Sequence, residues 1–361
     1  MNTLFLHIGL PKTGTTAIQQ ALSETSPAAP WHYLPESHDL LRSPDPPRRW
    51  VSRVRRRLET SDVVLSSETF LEGRLLLNEP SDEVARVLQL VRAFAWPDTV
   101  IVLTVRNFHR WAESFCEYRQ LSDTTHARQT SSEFFGRFLA DLECDPLIPF
   151  LSELFAELGG KSIRVVPYSA NKVVDEFFSL LHLSDGTPVK LLAGDRANVT
   201  TPAPVAATAA RLGSRSLRQK RWVTKELMTQ VAWPEEPVNF SPFNADQQRH
   251  LARITSESAQ PLQDLRVRFL TSFGDFDDWL EECRDIEIRP GPETQQFEEY
   301  SRAAEEALIQ HLIRRETGGL VSLLRRERNG LIPWLKVLLV WAPRAVLRRP
   351  VRRIVRRLRG F

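Results

Sequence analysis

Cysteine is scarce in this chain of 361 residues. The three present, Cys116, Cys144 and Cys283, are scattered and odd in number, with no CxxC pair and no Cys/His cluster. That excludes a disulfide framework and a zinc site of ordinary spacing, and leaves free thiols in a reducing compartment as the expectation. The N-terminus lacks the basic segment of a secretory signal, and its apolar stretch runs straight into a glycine loop, so a cytoplasmic location is expected. The apolar run at 331–343, LIPWLKVLLVWAP, has thirteen residues with one lysine and two prolines. It is too short to span a bilayer. A repeat of fixed period is also missing.

Acid is missing from the C-terminus. Residues 344–361 hold eight arginines and no Asp or Glu, whereas the whole chain carries a net charge of only +3. Setting those arginines aside leaves 40 basic against 45 acidic residues, a body of about −5. A charge block of this kind marks a segment for an anionic partner. Apolar residues make up 42%, enough to build a sizeable core in one large α/β domain or two modest ones.

Short apolar runs at Thr3–Gly9, Asp62–Ser66 and Thr99–Val105 read as buried parallel strands, with Ser162–Pro167 as a fourth. Helical patterns occupy Thr16–Ser23, Asp82–Phe94, Phe108–Leu121, Phe134–Leu158 and Val173–Leu181. Residues 205–283 read as helices broken by Pro234, Pro237 and Pro242, and 293–317 as a charged helix. Pro44–Pro47 marks a turn-rich insertion. Alternation of strand and helix predicts an α/β fold: a P-loop-type parallel β-sheet with helices on both faces, followed by a helical C-terminal region and a basic amphipathic tail. The expected boundaries are 1–285, 286–330 and 331–361. Ligands of such sheets bind beyond the carboxyl ends of the strands.

The first strand feeds LFLHIGLPKTGTT, residues 4–16. Gly9 and Gly14 keep the Walker A spacing, but Thr15-Thr16 follows where Lys-Ser/Thr is required, and Lys12 precedes Gly14 by two. Anion binding survives that change: glycines turn backbone N–H groups inward and a helix N-terminus faces the anion. Lys12 adds charge, and Thr13, Thr15 and Thr16 add hydroxyls. A plain strand–turn–helix with capping threonines explains the threonines but not the lysine between the glycines. A Walker-type enzyme also needs an Asp at a neighbouring strand end to hold Mg²⁺. Thr99–Val105 ends in Arg106-Asn107, and Asp62–Ser66 in Ser67-Glu68. This pattern suits an anion activated without a metal.

The third strand leads into VRNFHRWAESFCEY, with Arg106 at the strand end and Ser114 two helical turns on. Trp111 and Phe115 face the core by spacing, and Arg110 either shares the anion side or pairs with Glu113 or Ser114. Together the two stretches resemble the sulfotransferases that use 3′-phosphoadenosine 5′-phosphosulfate (PAPS). Pro11-Lys12-Thr13-Gly14-Thr15-Thr16 is similar to their 5′-phosphosulfate signature. Arg106 to Phe115 is similar to their 3′-phosphate signature, with Phe108 where proline is usual. The resemblance covers roughly residues 3–285. The loop ANVTTPAP (Ala197–Pro204) and the helix Ala252–Phe269 are similar to the less characterised bacterial members.

The resemblance implies sulfuryl transfer from PAPS as co-substrate to a hydroxyl or amine, with no metal and no nucleic acid expected. Lys12 and the loop N–H groups would stabilise the developing charge. Thr15 and Thr16 would hold the 5′-phosphate, and Arg106 with Ser114 the 3′-phosphate. Glu68 is the expected base, by similarity to the carbohydrate sulfotransferases; its alternative is a helix cap with Ser66 or Ser67. His7 reads as a satisfied core histidine and His109 as a surface one. Asn198 and Thr200 border the adenosine or the acceptor, and Tyr168 either lines the cleft or belongs to the core. A P-loop kinase or phosphotransferase and a non-catalytic, membrane-tethered nucleotide-binding protein remain the alternatives.

In the tail, Leu347, Val351, Ile354, Leu358 and Phe361 recur at spacings of three and four, with arginines between them. A helix would gather them on one face, behind a segment bearing Trp334 and Trp341. Interfacial membrane helices are built this way, with nucleic acid as a competing partner and docking on the protein's own acidic body as the further alternative. The expected place is the inner face of the cytoplasmic membrane, and the expected acceptor a glycan or glycolipid.

Overall fold

Val, Ile, Leu and Phe fill the strands because a parallel sheet is covered on both faces. The strands are β1 (Leu4–Ile8), β2 (His32–Tyr33), β3 (Val63–Ser67), β4 (Thr99–Val105) and β5 (Ile163–Pro167). Every residue of β1 and β3 is buried. The computed structural model describes residues 2–26, 29–41, 43, 45–68, 80–122, 136, 139–140, 142–159, 162–168, 172–181, 203–212, 223–225, 227–228, 239–268 and 276–323. The strands run parallel in the order β2-β3-β1-β4-β5, so β1 is central. Leu4 is in register with Val63 on one side and Thr99 on the other.

The described helices are α1 (Thr15–Thr25), α2 (Ser37–Leu40), α3 (Arg48–Leu58), α4 (Pro80–Phe94), α5 (Phe108–Ser122), α6 (Leu147–Leu158), α7 (Val173–Leu180), α8 (Ala203–Leu212), α9 (Ala245–Arg268), α10 (Phe276–Arg284) and α11 (Gln295–Leu323). Successive strand side chains point to opposite faces, and the core divides accordingly. Leu4, Leu6, Leu65, Ile101 and Leu103 pack with α3 to α6, α9 and α10. Phe5, Val64, Val100 and Val102 pack with Ile18 and Leu22 of α1 and Phe177 and Phe178 of α7. Helices thus cover both faces, as the alternation of strand and helix predicts.

Three expectations need correcting. Phe134–Leu158 is not one helix: residues 142–146 are non-helical, and α6 begins where the buried Asp145 carboxylate accepts the Leu147 N–H at 2.9 Å. Strand β2 is unforeseen because two residues carry no periodicity. His109 is fully buried rather than at the surface.

The chain divides into two compact units, Met1–Ala304 and Glu305–Phe361; of the second, the described part is the remainder of α11. Asn198, Thr200 and the tail 331–361 lie outside the described residues. No helix among the described residues is long and apolar enough to cross a membrane.

Candidate functional site

Four strands deliver a functional group at the residue just past their carboxyl ends. β1 is followed by Gly9 and the loop to Gly14, β3 by Glu68, β4 by Arg106 and β5 by Tyr168. Lys12 and Gly14 both take left-handed backbone angles, with φ of 65° and 79°. For lysine that costs roughly 1–2 kcal/mol, so something must hold it. Trp111 Nε1–H donates to Pro11 O at 3.0 Å, and an Arg106 N–H donates to Lys12 O at 3.4 Å. With these carbonyls tied from α5 and the β4 end, Lys12 and Gly14 hold left-handed angles on either side of Thr13, an ingredient of the N–H concavities by which loops can bind anions.

Both glycines are required. A Cβ on Gly9 would stand 2.3 Å from Thr15 Oγ1 and 2.9 Å from Thr104 Oγ1. One on Gly14 would press on Val173 and on the Tyr168 ring, besides demanding a positive φ. Thr15 Oγ1 is buried with no hydrogen-bond partner among the described residues. An orphaned hydroxyl in a cradle that a methyl would fill is what a bound oxyanion would complete.

Beneath the loop runs a hydrogen-bonded wire whose polarity can be derived. Thr13 Oγ1–H donates to Leu10 O at 2.5 Å, so at its 2.8 Å contact with Thr104 it must accept. Thr104 has then spent its proton and accepts from His7 Nε2–H at 3.2 Å. His7 Nδ1 accepts from Ser66 Oγ–H at 2.8 Å, and Ser66 accepts from Gln19 at 3.3 Å. The wire needs a neutral His7, and burial lowers its pKa to about 3. Thr13 therefore offers a ligand its backbone N–H, its hydroxyl being committed inward. His7 is a satisfied core histidine, as its place in the strand predicts.

Lys12 Nζ sits 4.6 Å from the Tyr118 ring centroid, and the Arg106 guanidinium 4.9 Å from that of Tyr168. Burial pulls the Lys12 ammonium below its ordinary value; Glu68 and Glu117 oppose this and Arg106 adds to it. Burial also lowers Arg106, with partial compensation from Tyr168, Glu113 and Glu117. Glu68 is half-buried and within electrostatic reach of Lys12. Ser114 is half-buried on α5, one turn before Tyr118. Pro11 is buried and Thr16 is exposed in the first turn of α1. Loop, Glu68 and Arg106 are thus brought together, while Ser114 is placed only on α5, one turn from Tyr118.

Arg110 leans on Glu113 at 3.4 Å, and its backbone N–H donates to the capping Asn107 Oδ1 at 2.8 Å. Glu113 is the centre of a buried cluster. It is ion-paired with Arg289, accepts from Ser241 Oγ–H at 2.8 Å and stands 3.6 Å from His109 Nδ1. Burial alone would raise its pKa; His109, the Arg289 charge and the hydrogen bonds from Arg289 and Ser241 outweigh that and leave it low. Arg289 carries this effect at neutral pH, since burial lowers His109 to about 4.

Glu117 was missed in the sequence reading. It is buried on α5, one turn past Glu113, facing Lys12 and Arg106. Burial pushes its pKa from 4.5 to about 8, helped by Glu113 and resisted by Arg289, Arg106 and Lys12. Its contribution to stability is complete below pH 4.5 and is lost as pH rises through about 8. Glu117→Gln should therefore match the wild type in urea midpoint below pH 4.5, gain on it progressively as pH rises toward about 8, and hold a constant lead above that. Parallel curves would refute the buried, proton-holding carboxyl.

Residues 5–144 match a family model described as a sulfotransferase domain. This stretch is similar to a sulfotransferase domain. It spans the loop, Glu68, Arg106 and Ser114. No curated protein and no solved structure matches the chain. Among the described residues no group of His, Cys, Asp and Glu could hold a metal ion.

Proposed function

We propose that the sulfotransferase domain takes its sulfuryl group from PAPS and delivers it to a hydroxyl or amine of a glycan or lipid-linked acceptor. The observation that carries the donor is the cradle itself: the left-handed loop residues Lys12 and Gly14, the unpartnered Thr15 hydroxyl, and Lys12 and Arg106 at one sheet edge. In this reading Pro11 to Thr16 hold the 5′-phosphosulfate, and Arg106 with Ser114 hold the 3′-phosphate. The acceptor oxygen attacks sulfur, the bond from sulfur to the 5′-phosphate oxygen breaks, and adenosine 3′,5′-bisphosphate leaves. Lys12 and the loop N–H groups offset the charge gathering on that leaving oxygen. Glu68 takes the acceptor proton. Glu117 cannot, because at neutral pH it already holds one.

The reading divides the chain at 285 and 330, with 286–330 a helical extension. The tail 331–361 holds the protein at the inner face of the cytoplasmic membrane; its arginine spacing and tryptophans support this. Adenosine 3′,5′-bisphosphate should raise the melting temperature in the absence of metal. Stabilisation by ATP with Mg²⁺ alone would replace the donor assignment with a phosphotransferase.

A further inference from the structure

Helix α3, with the sequence RRWVSRVRRRL, carries six arginines and no acid. Trp50, Val51, Val54 and Leu58 are buried and fix how the helix sits, with the Trp50 ring 5.6 Å from that of Phe94. All six arginines are consequently exposed. Arg53 pairs with Glu36 at 2.5 Å, and Arg55 Nε–H donates to Phe94 O at 2.6 Å. Arg48, Arg49, Arg56 and Arg57 make no ion pair among the described residues.

This arrangement works against the helix. Arg49 and Arg53, and Arg53 and Arg57, are like charges four apart, and each pair destabilises the helix. Arg48 and Arg49 stand in the first turn, where the helix dipole disfavours cations and no acid offsets them. The rest of the protein does not share this charge. Setting aside the arginines of α3 and of 344–361 leaves 34 basic residues against 45 acidic ones. As the crossover between the parallel strands β2 and β3, α3 runs antiparallel to them. Its first turn therefore lies toward the edge that carries the loop, and its last turn toward the opposite edge.

We propose that the arginine face of α3 docks on the anionic headgroups of a phospholipid bilayer. Two features favour lipid over nucleic acid or a soluble polyanion. The only aromatic of α3 is buried, so no ring is offered for stacking on bases. The face is an extended array of exposed arginines along the helix, a shape suited to a planar anionic surface. Contact is confined to headgroups, because α3 exposes no large apolar side chain. Binding of this kind is strongly weakened by salt. It goes beyond the tail assignment and stands or falls separately from it.

The test uses the full chain and vesicles of phosphatidylcholine with and without phosphatidylglycerol. Each arginine near an anionic surface contributes about 1 kcal/mol, roughly 5-fold in partitioning. Arg48→Gln, Arg49→Gln, Arg56→Gln and Arg57→Gln combined should reduce partitioning on the order of 500-fold, without lowering the melting temperature. The matching Lys variant should keep it, since the charge remains. A second chain with the arginines of 344–361 changed to Gln reads the tail alone. Unchanged partitioning of the α3 Gln variant beside loss in the tail variant overturns the α3 surface and leaves the tail reading standing. Wild-type binding to heparin or nucleic acid but not to phosphatidylglycerol vesicles overturns it in favour of a soluble polyanion.

Discussion

Arg106→Ala should weaken adenosine 3′,5′-bisphosphate binding on the order of 100-fold and leave adenosine 5′-phosphate binding close to wild type. A charge-assisted hydrogen bond is worth about 1.5–3 kcal/mol, and each 1.4 kcal/mol is tenfold. Arg106 is well suited to exert the whole effect. It follows β4 directly, is stacked over Tyr168 and is already ordered by its bond to Lys12 O, so little side-chain entropy remains to be lost on binding. Lys12→Ala should weaken both nucleotides, because the proposed assignment puts it at the 5′ end they share. Titration calorimetry with the two nucleotides separates the outcomes. Equal losses for both in Arg106→Ala would reduce Arg106 to a clip on the loop and remove the 3′-phosphate from its role.

Glu113→Ala should cost about 3–5 kcal/mol of folding stability, the largest loss expected of a single substitution here. The Arg289 side chain is only 9% exposed and would be left as a buried charge without its carboxylate, while Ser241 and His109 lose the same partner. Arg289 is fastened at its backbone by Gln248 in both directions at 2.9 Å, so it cannot swing out to water cheaply. Glu113→Met with Arg289→Met should recover most of the loss, since both charges are then gone. Urea unfolding measures each. If the double variant is as weak as Glu113→Ala, the ion pair is not what joins α5 to the 239–244 and 285–291 segments.

What could be read in the sequence follows from range. The strands were legible because burial on both faces demands continuous apolar runs. The loop and Arg106 were legible because their chemistry lies in one contiguous stretch each. Glu117, Arg289 and the wire from Gln19 to Leu10 join residues from different elements, and no spacing announces them. One signal was present: His7, Ser66 and Thr104 are polar residues inside otherwise apolar strands, near the ends that face the loop. His109 misled because α5 is enclosed nearly all round. Trp111 lies on one side of it, and on another the His109 N–H meets Thr255 of α9 at 3.0 Å. A helix buried on several faces has no polar face for periodicity to find.

The wire under the loop also constrains how this protein can drift. Each of its members has one role, donor toward the loop and acceptor from behind. Changing any one alone leaves a buried hydrogen or lone pair unanswered, at about 1–3 kcal/mol. A path from His7 to an apolar residue therefore passes through a penalised intermediate unless Ser66 or Thr104 changes with it. These positions form a heritable unit: selection acting on the anion loop is felt four residues away in space as a rule about which pairs of mutations are permitted.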